Sequence, residues 1–142
     1  MIRRIGPALA MAALGIGCGE ELGPERFPTA HVRGSVAAGG RPVGGGFIEF
    51  QPIDGTRGNL RVGPIRPDGS FAVDLVPVGK VAVGLAQLPI GPIPTASGPV
   101  DPRDFRLNRA PLRRTIAEGP DVVLAIDLDV EANRLKLRGR GR

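Results

Sequence analysis

The side chains able to do chemistry are few and scattered. The chain has one Cys, Cys18, and one His, His31, with no Trp and no Tyr. A transition-metal site draws on several His or Cys ligands, and nucleophilic catalysis needs a paired base; neither constellation is present in the sequence. His31 reads as a surface residue of a strand. Asp127, Asp129 and Glu131 recur at every second position, a spacing that places carboxylates on one face of a strand. Calcium takes roughly 6–8 oxygens from several segments, so a solvated polar face is expected there. Asp101, Arg103 and Asp104 fall in a proline-rich loop. The glycines at 44–46 precede a strand where a phosphate cradle would open a helix. The expectation is a protein with no catalytic residues, no metal and no cofactor.

Charge is concentrated at the ends. The formal net charge is +5. Arg134, Lys136, Arg138, Arg140 and Arg142 crowd the last nine residues, and Arg3 and Arg4 lie near the start, so 18–133 is slightly acidic. The run Arg138-Gly139-Arg140-Gly141-Arg142 resembles Arg/Gly-rich nucleic-acid-binding segments, and these five cations are candidate contacts for a polyanion. Aromatic content is only 4%, which supplies base-stacking platforms poorly. In an exported protein an anionic envelope surface or polysaccharide is the expected contact and nucleic acid is not. The alternative is a solvated end with no partner.

Residues 1–17 combine Arg3 and Arg4 with an apolar run over 5–16 that is too short to span a bilayer, which takes ~20 residues. The following Ile16-Gly17-Cys18 resembles a bacterial lipoprotein signal, in which a Cys becomes lipidated and N-terminal on cleavage. That resemblance implies lipidation of Cys18 and a membrane anchor. Gly19, in place of Asp, implies the outer membrane by the sorting rule of some Gram-negative bacteria. An ordinary export signal cleaved nearby, with Cys18 a bystander, is the other reading. As the sole Cys, Cys18 has no intramolecular disulfide partner. Residues 18–28, charged and broken by two prolines, read as a tether.

The elements beyond the tether are short alternating runs punctuated by Gly, Pro and Asp, the pattern of a compact antiparallel β domain. Strands are expected at 29–36, 46–51, 60–65, 71–75, 80–88, 112–116 and 121–128. Ile48, Phe50, Phe71, Val73, Val81 and Val83 are the expected core, with Leu75, Leu85, Val122, Leu124, Ile126 and Leu128 also inward. Gly34 permits a close approach or a bulge. Asp68-Gly69 supplies a hairpin turn that sets the register between the third and fourth strands. Val76 to Gly79 reads as the next turn. The outward residues of the fifth strand, Ala82, Gly84 and Ala86, are small, as on a face covered by another segment. Residues 89–111 carry six prolines and no periodicity and read as a long loop. No helix is expected past the leader, so 131–142 reads as a basic tail leaving the domain.

The segments G-S-V at 34–36, R-P-V-G-G-G-F-I-E-F at 41–50, P-D-G-S-F-A-V at 67–73 and V-P-V-G-K-V-A-V at 76–83 resemble carboxypeptidase regulatory-like domains. That family implies a transthyretin-like (prealbumin-like) β-sandwich of about seven strands and an accessory role without catalytic residues. The sequence therefore suggests one all-β domain over 29–130, an antiparallel sandwich preceded by a signal peptide. Its expected role is a non-catalytic envelope lipoprotein, bound to a membrane through lipid and to an envelope protein or glycan through its surface.

Overall fold

The computed structural model describes residues 26–141. The leader, Cys18, most of the tether and Arg142 lie outside the described residues. The described residues form two facing sheets and one α-helix. In chain order the elements are β1 (Thr29–Ala38), β2 (Arg41–Pro42), β3 (Phe47–Pro52), β4 (Arg61–Pro64), β5 (Ser70–Pro77), β6 (Gly79–Ala86), β7 (Leu112–Ile116), β8 (Val122–Asp127) and helix α1 (Leu128–Arg140). A short 3-10 turn spans Pro102–Phe105. Strand β1 is flanked by β5 and β2 on one side and by β8 on the other; the second sheet runs β4-β3-β6-β7. Among the described residues, no helix is long and apolar enough to cross a membrane.

Alternation fills the space between the sheets. Val32, Val36, Phe71, Val73 and Ile126 from the first sheet meet Ile48, Phe50, Val81, Val83, Leu85, Leu112 and Ile116 from the second, all buried. Phe50 and Phe71 face each other across the layers with ring centroids 6.2 Å apart. All six expected core residues are in place.

Four expectations change. The sheets are mainly antiparallel, but β8 runs parallel to β1, from Val32↔Val122 to Ala37↔Asp127. The Asp68-Gly69 turn joins β4 of one sheet to β5 of the other and so makes a corner between layers, not a hairpin within one. Gly69 takes φ 83°, and Asp68 accepts hydrogen bonds from the Ser70 backbone N–H and hydroxyl. Leu75, expected inside, is 58% exposed while Val76 is fully buried and still within the strand. The register against β1 shifts between Ala30/Val76 and Val32/Val73. An extra residue of this kind moves the alternation by one position, and Leu75 carries it at φ 58°. Finally, residues 128–140 form a helix where a tail was expected.

Two other expectations hold. Gly34 lies where β8 closes on β1: a Cβ there would stand 1.7 Å from the Leu124 carbonyl oxygen. The small outer residues of β6 are covered by the long loop, for a Cβ on Gly84 would meet Leu107 at 2.6 Å. That loop is well structured. Ile93 and Val100 exchange backbone hydrogen bonds at 2.7 and 2.9 Å, and Ile93, Val100 and Phe105 join the core. Burying Phe105 contributes about 2–3 kcal/mol toward holding the segment down.

Candidate functional site

The site grows from the junction of β8 and α1. Asp127 ends the strand and caps the helix, its carboxylate accepting the Asp129 N–H at 3.0 Å. Such a cap satisfies one of the N–H groups that the first turn leaves unpaired. Asp129 and Glu131 lie in that first turn and Arg138 and Arg140 in the last, each sign at the end where the helix dipole favours it. Leu128 is fully buried and Ala132, at i+4, packs against the core, while Leu135 at i+7 on the same face is 40% exposed. The three carboxylates expected on one strand face therefore have separate tasks. Asp129 Oδ2 accepts the Gly39 N–H at 3.0 Å, pinning the β1–β2 turn to the helix start, while its Oδ1 is buried with no hydrogen-bond partner among the described residues. Glu131 points toward β7.

On β7, Leu112 and Ile116 face the core and are buried. Arg114 lies between them on the same face by strand alternation. Its guanidinium meets the Glu131 carboxylate, with side-chain exposures of 20% and 11%, and also donates to the Arg113 carbonyl at 2.9 Å. Arg134, one turn beyond Glu131, reaches the same carboxylate at 3.4 Å. A charge at this depth is tolerable only when paired, and Glu131 supplies the partner.

Around the pair opens a cleft of about 700 Å³ on the flank of the sandwich, bordered by β7, β8 and α1. Lys80, Arg113, Arg114 and Arg134 line it with Asp54, Asp127 and Glu131. Its carboxylates are all engaged: Asp127 as the cap, Glu131 by two arginines, and Asp54 by Arg113 at 3.7 Å. Among the described residues, Lys80 and Arg138 have no carboxylate partner. Arg138 lies beside Arg134 and Leu135 in a smaller neighbouring recess. Four cations, from β6, β7 and α1, face three carboxylates in the lining, which leaves the cleft with a net positive charge.

Of the five tail cations, Arg134, Lys136, Arg138 and Arg140 are exposed on α1, and Arg142 lies outside the described residues, as does Cys18. Helical spacing divides the four into two stripes, Arg134 with Arg138 beside the cleft and Lys136 with Arg140 away from it. Lys80, Arg113 and Arg114 were not singled out by sequence, because their neighbourhood depends on the pairing of β6 with β7 and on the helix.

The other reactive residues support the fold. His31 Nδ1 meets the Asp74 carboxylate beside the Leu75 bulge, and Arg61 Nε donates to the Asp74 carbonyl at 3.1 Å. Asp101 caps the 3-10 turn, accepting the Arg103 N–H at 3.0 Å and its guanidinium at 2.7–3.1 Å. The side-chain bond from Arg103 holds the Asp101 carboxyl below its usual range. Asp104 faces Arg109 at 3.4 Å. The glycines at 44–46 zip onto the segment before the corner, with Gly45 N–H to Ile65 O and Ile65 N–H to Gly46 O at 3.1 and 3.0 Å. Among the described residues, no three His, Cys, Asp or Glu side chains gather as a metal site.

No protein-family model, curated protein or solved structure matches the chain.

Proposed function

We propose that the chain is a non-catalytic accessory module of the cell envelope, anchored by lipid on Cys18, that engages an anionic partner through the flank between β7 and α1. The observation carrying this reading is the gathering of Lys80, Arg113 and Arg134 around a cleft whose carboxylates are already engaged, with Arg138 in the recess beside it. The transthyretin-like, carboxypeptidase regulatory-like resemblance over 31–85 fits this assignment, because two packed, mainly antiparallel sheets are what it implies. The structured loop and the fully packed core favour a rigid platform for binding.

Membrane fractionation and retention on an anionic polymer test the two halves separately. Cys18→Ala is expected to release the protein from membranes with its fold intact; continued membrane association refutes the anchor. The pair Arg134→Glu and Arg138→Glu is expected to abolish salt-sensitive retention on a sulfated polysaccharide column. Unchanged retention refutes the cleft as the binding surface. Duplex DNA binding more tightly than the polysaccharide, and lost in the same variant, would shift the assignment to nucleic acid.

A further inference from the structure

The two sheets have four long-strand edges, β5 and β8 in one and β4 and β7 in the other. An uncovered edge is a template for another strand, and proteins blunt it with proline, bulges or inward charges. Three of the four carry such a device. Strand β4 ends in Pro64. Strand β5 is broken by the bulge at Leu75. Strand β7 turns Arg114 into the core-facing row between Leu112 and Ile116. Strand β8 has none of them. From Val122 to Ile126 it is wholly apolar, among the described residues it pairs only with β1, and its Val123 is 61% exposed.

The unblunted edge borders the cationic cleft, which Ala125 and Asp127 of β8 help to line. We propose that β8 receives an extended acidic segment of a partner protein as an added strand. Backbone hydrogen bonds along β8 hold it, and carboxylates on its cleft-facing side meet Lys80, Arg113 and Arg134. That side lies beside Val123 and Ala125, on the face of β8 that lines the cleft, and the alternate side chains lie beside Val122 and Leu124, so the recognised pattern is acidic alternating with apolar. A second copy of this chain offering its own β8 would bring Val123 and Ala125 to the middle of that face, with carboxylates only at its ends, Asp121 and Asp127. Charge complementarity therefore selects a different polypeptide. The inference rests on the reading of the cleft as the partner-binding surface.

Hydrogen exchange on the full-length protein in detergent tests both levels. The probes are a peptide of alternating glutamate and valine about eight residues long, the same peptide N-methylated at alternate residues, and inorganic polyphosphate. The alternating peptide is expected to slow exchange over 121–128 by about tenfold or more, and the N-methylated one, equal in charge, to leave it unchanged. The Lys80→Glu/Arg113→Glu variant, altered only on the exposed rim, is expected to weaken the peptide at least about tenfold. Equal binding of both peptides, or binding of polyphosphate alone, overturns strand addition and leaves the anion-binding reading standing. Failure of all three probes overturns both. A dimer that protects 121–128 without peptide assigns the edge to a second copy and also overturns the proposal.

Discussion

Replacing Gly34 by Ala tests the least common feature of the fold, the parallel closure of β8 on β1. The new carbon would stand 1.7 Å from the Leu124 carbonyl oxygen and 2.7 Å from its carbon. Both are backbone atoms, so no side-chain rotation relieves the clash. Reaching even a tight 3.0 Å separation requires the strands to part by about 1.3 Å locally. A ladder bond near 2.9 Å lengthened by that amount is no longer a hydrogen bond. Losing two or three such bonds costs about 1 kcal/mol each, and partial exposure of Ile126 and Leu128, now 2% and 0% exposed, adds about 1–2 kcal/mol. The expected loss is about 3–5 kcal/mol, a large share of the ~5–15 kcal/mol typical of a folded domain. With no Trp or Tyr to report, far-UV circular dichroism in urea is the assay. The midpoint should fall by about 2 M or more. Gly91→Ala is the control, since its added carbon meets only the end of Arg103 at 3.8 Å. A Gly34→Ala midpoint within about 0.3 M of the parent would refute the β1–β8 register.

Three further outcomes are expected. Arg114→Met should destabilise by about 2–3 kcal/mol because Glu131 is left buried with only Arg134, whereas Arg114→Met with Glu131→Leu should recover most of the loss; a double-mutant cycle showing no coupling would contradict the pairing. Asp68 and Asp101 should titrate below the ordinary 3.8 in the folded protein, held down first by the side-chain bonds from Ser70 and Arg103 respectively. Since the unfolded chain binds these protons more readily, their contribution is complete above the unfolded value and is lost as pH falls through the folded one; Asp68→Asn should flatten stability against pH below about 4, as read by carboxyl NMR and urea midpoints. Phe105→Ala should cost about 3–4 kcal/mol and speed hydrogen exchange at Ile93 and Val100, and unchanged exchange there would separate the loop from the core.

The strands were legible because their side chains alternate over runs long enough to show a period. Ile48/Phe50, Phe71/Val73 and Val81/Val83 each set an inward face that tertiary contacts then left unchanged. Leu75 was misplaced because a bulge alters phase without altering composition; the positive φ that marks it belongs to the backbone. The last helix was hidden by its own sequence. R-L-K-L-R-G-R alternates like a strand and contains a glycine, which disfavours helix by about 1 kcal/mol relative to Ala. The signals available were Asp127 as a cap and the spacing of Leu128, Ala132 and Leu135. The cleft was out of reach for another reason. Arg114 and Glu131 are far apart in sequence, and nothing local shows that an arginine in an edge strand faces inward. The binding of Lys80 and Arg113 into one surface follows only once β6 and β7 pair.

The parallel run of β1 and β8 also fixes a direction in space. The chain enters the domain at Thr29, whereas β8 climbs alongside β1 to Ala37 and releases α1 there. At about 3.3 Å per residue, the helix therefore starts about 26 Å along the strand axis from the point of entry. Were β1 to stand along the normal of a bilayer that holds the N-terminus, the first turn of α1 would lie about that distance farther from the lipid than Thr29. That distance exceeds the ~8 Å screening length of physiological salt several-fold. A helix so placed would sense little of the charge of its own membrane and would meet first whatever approaches from the far side.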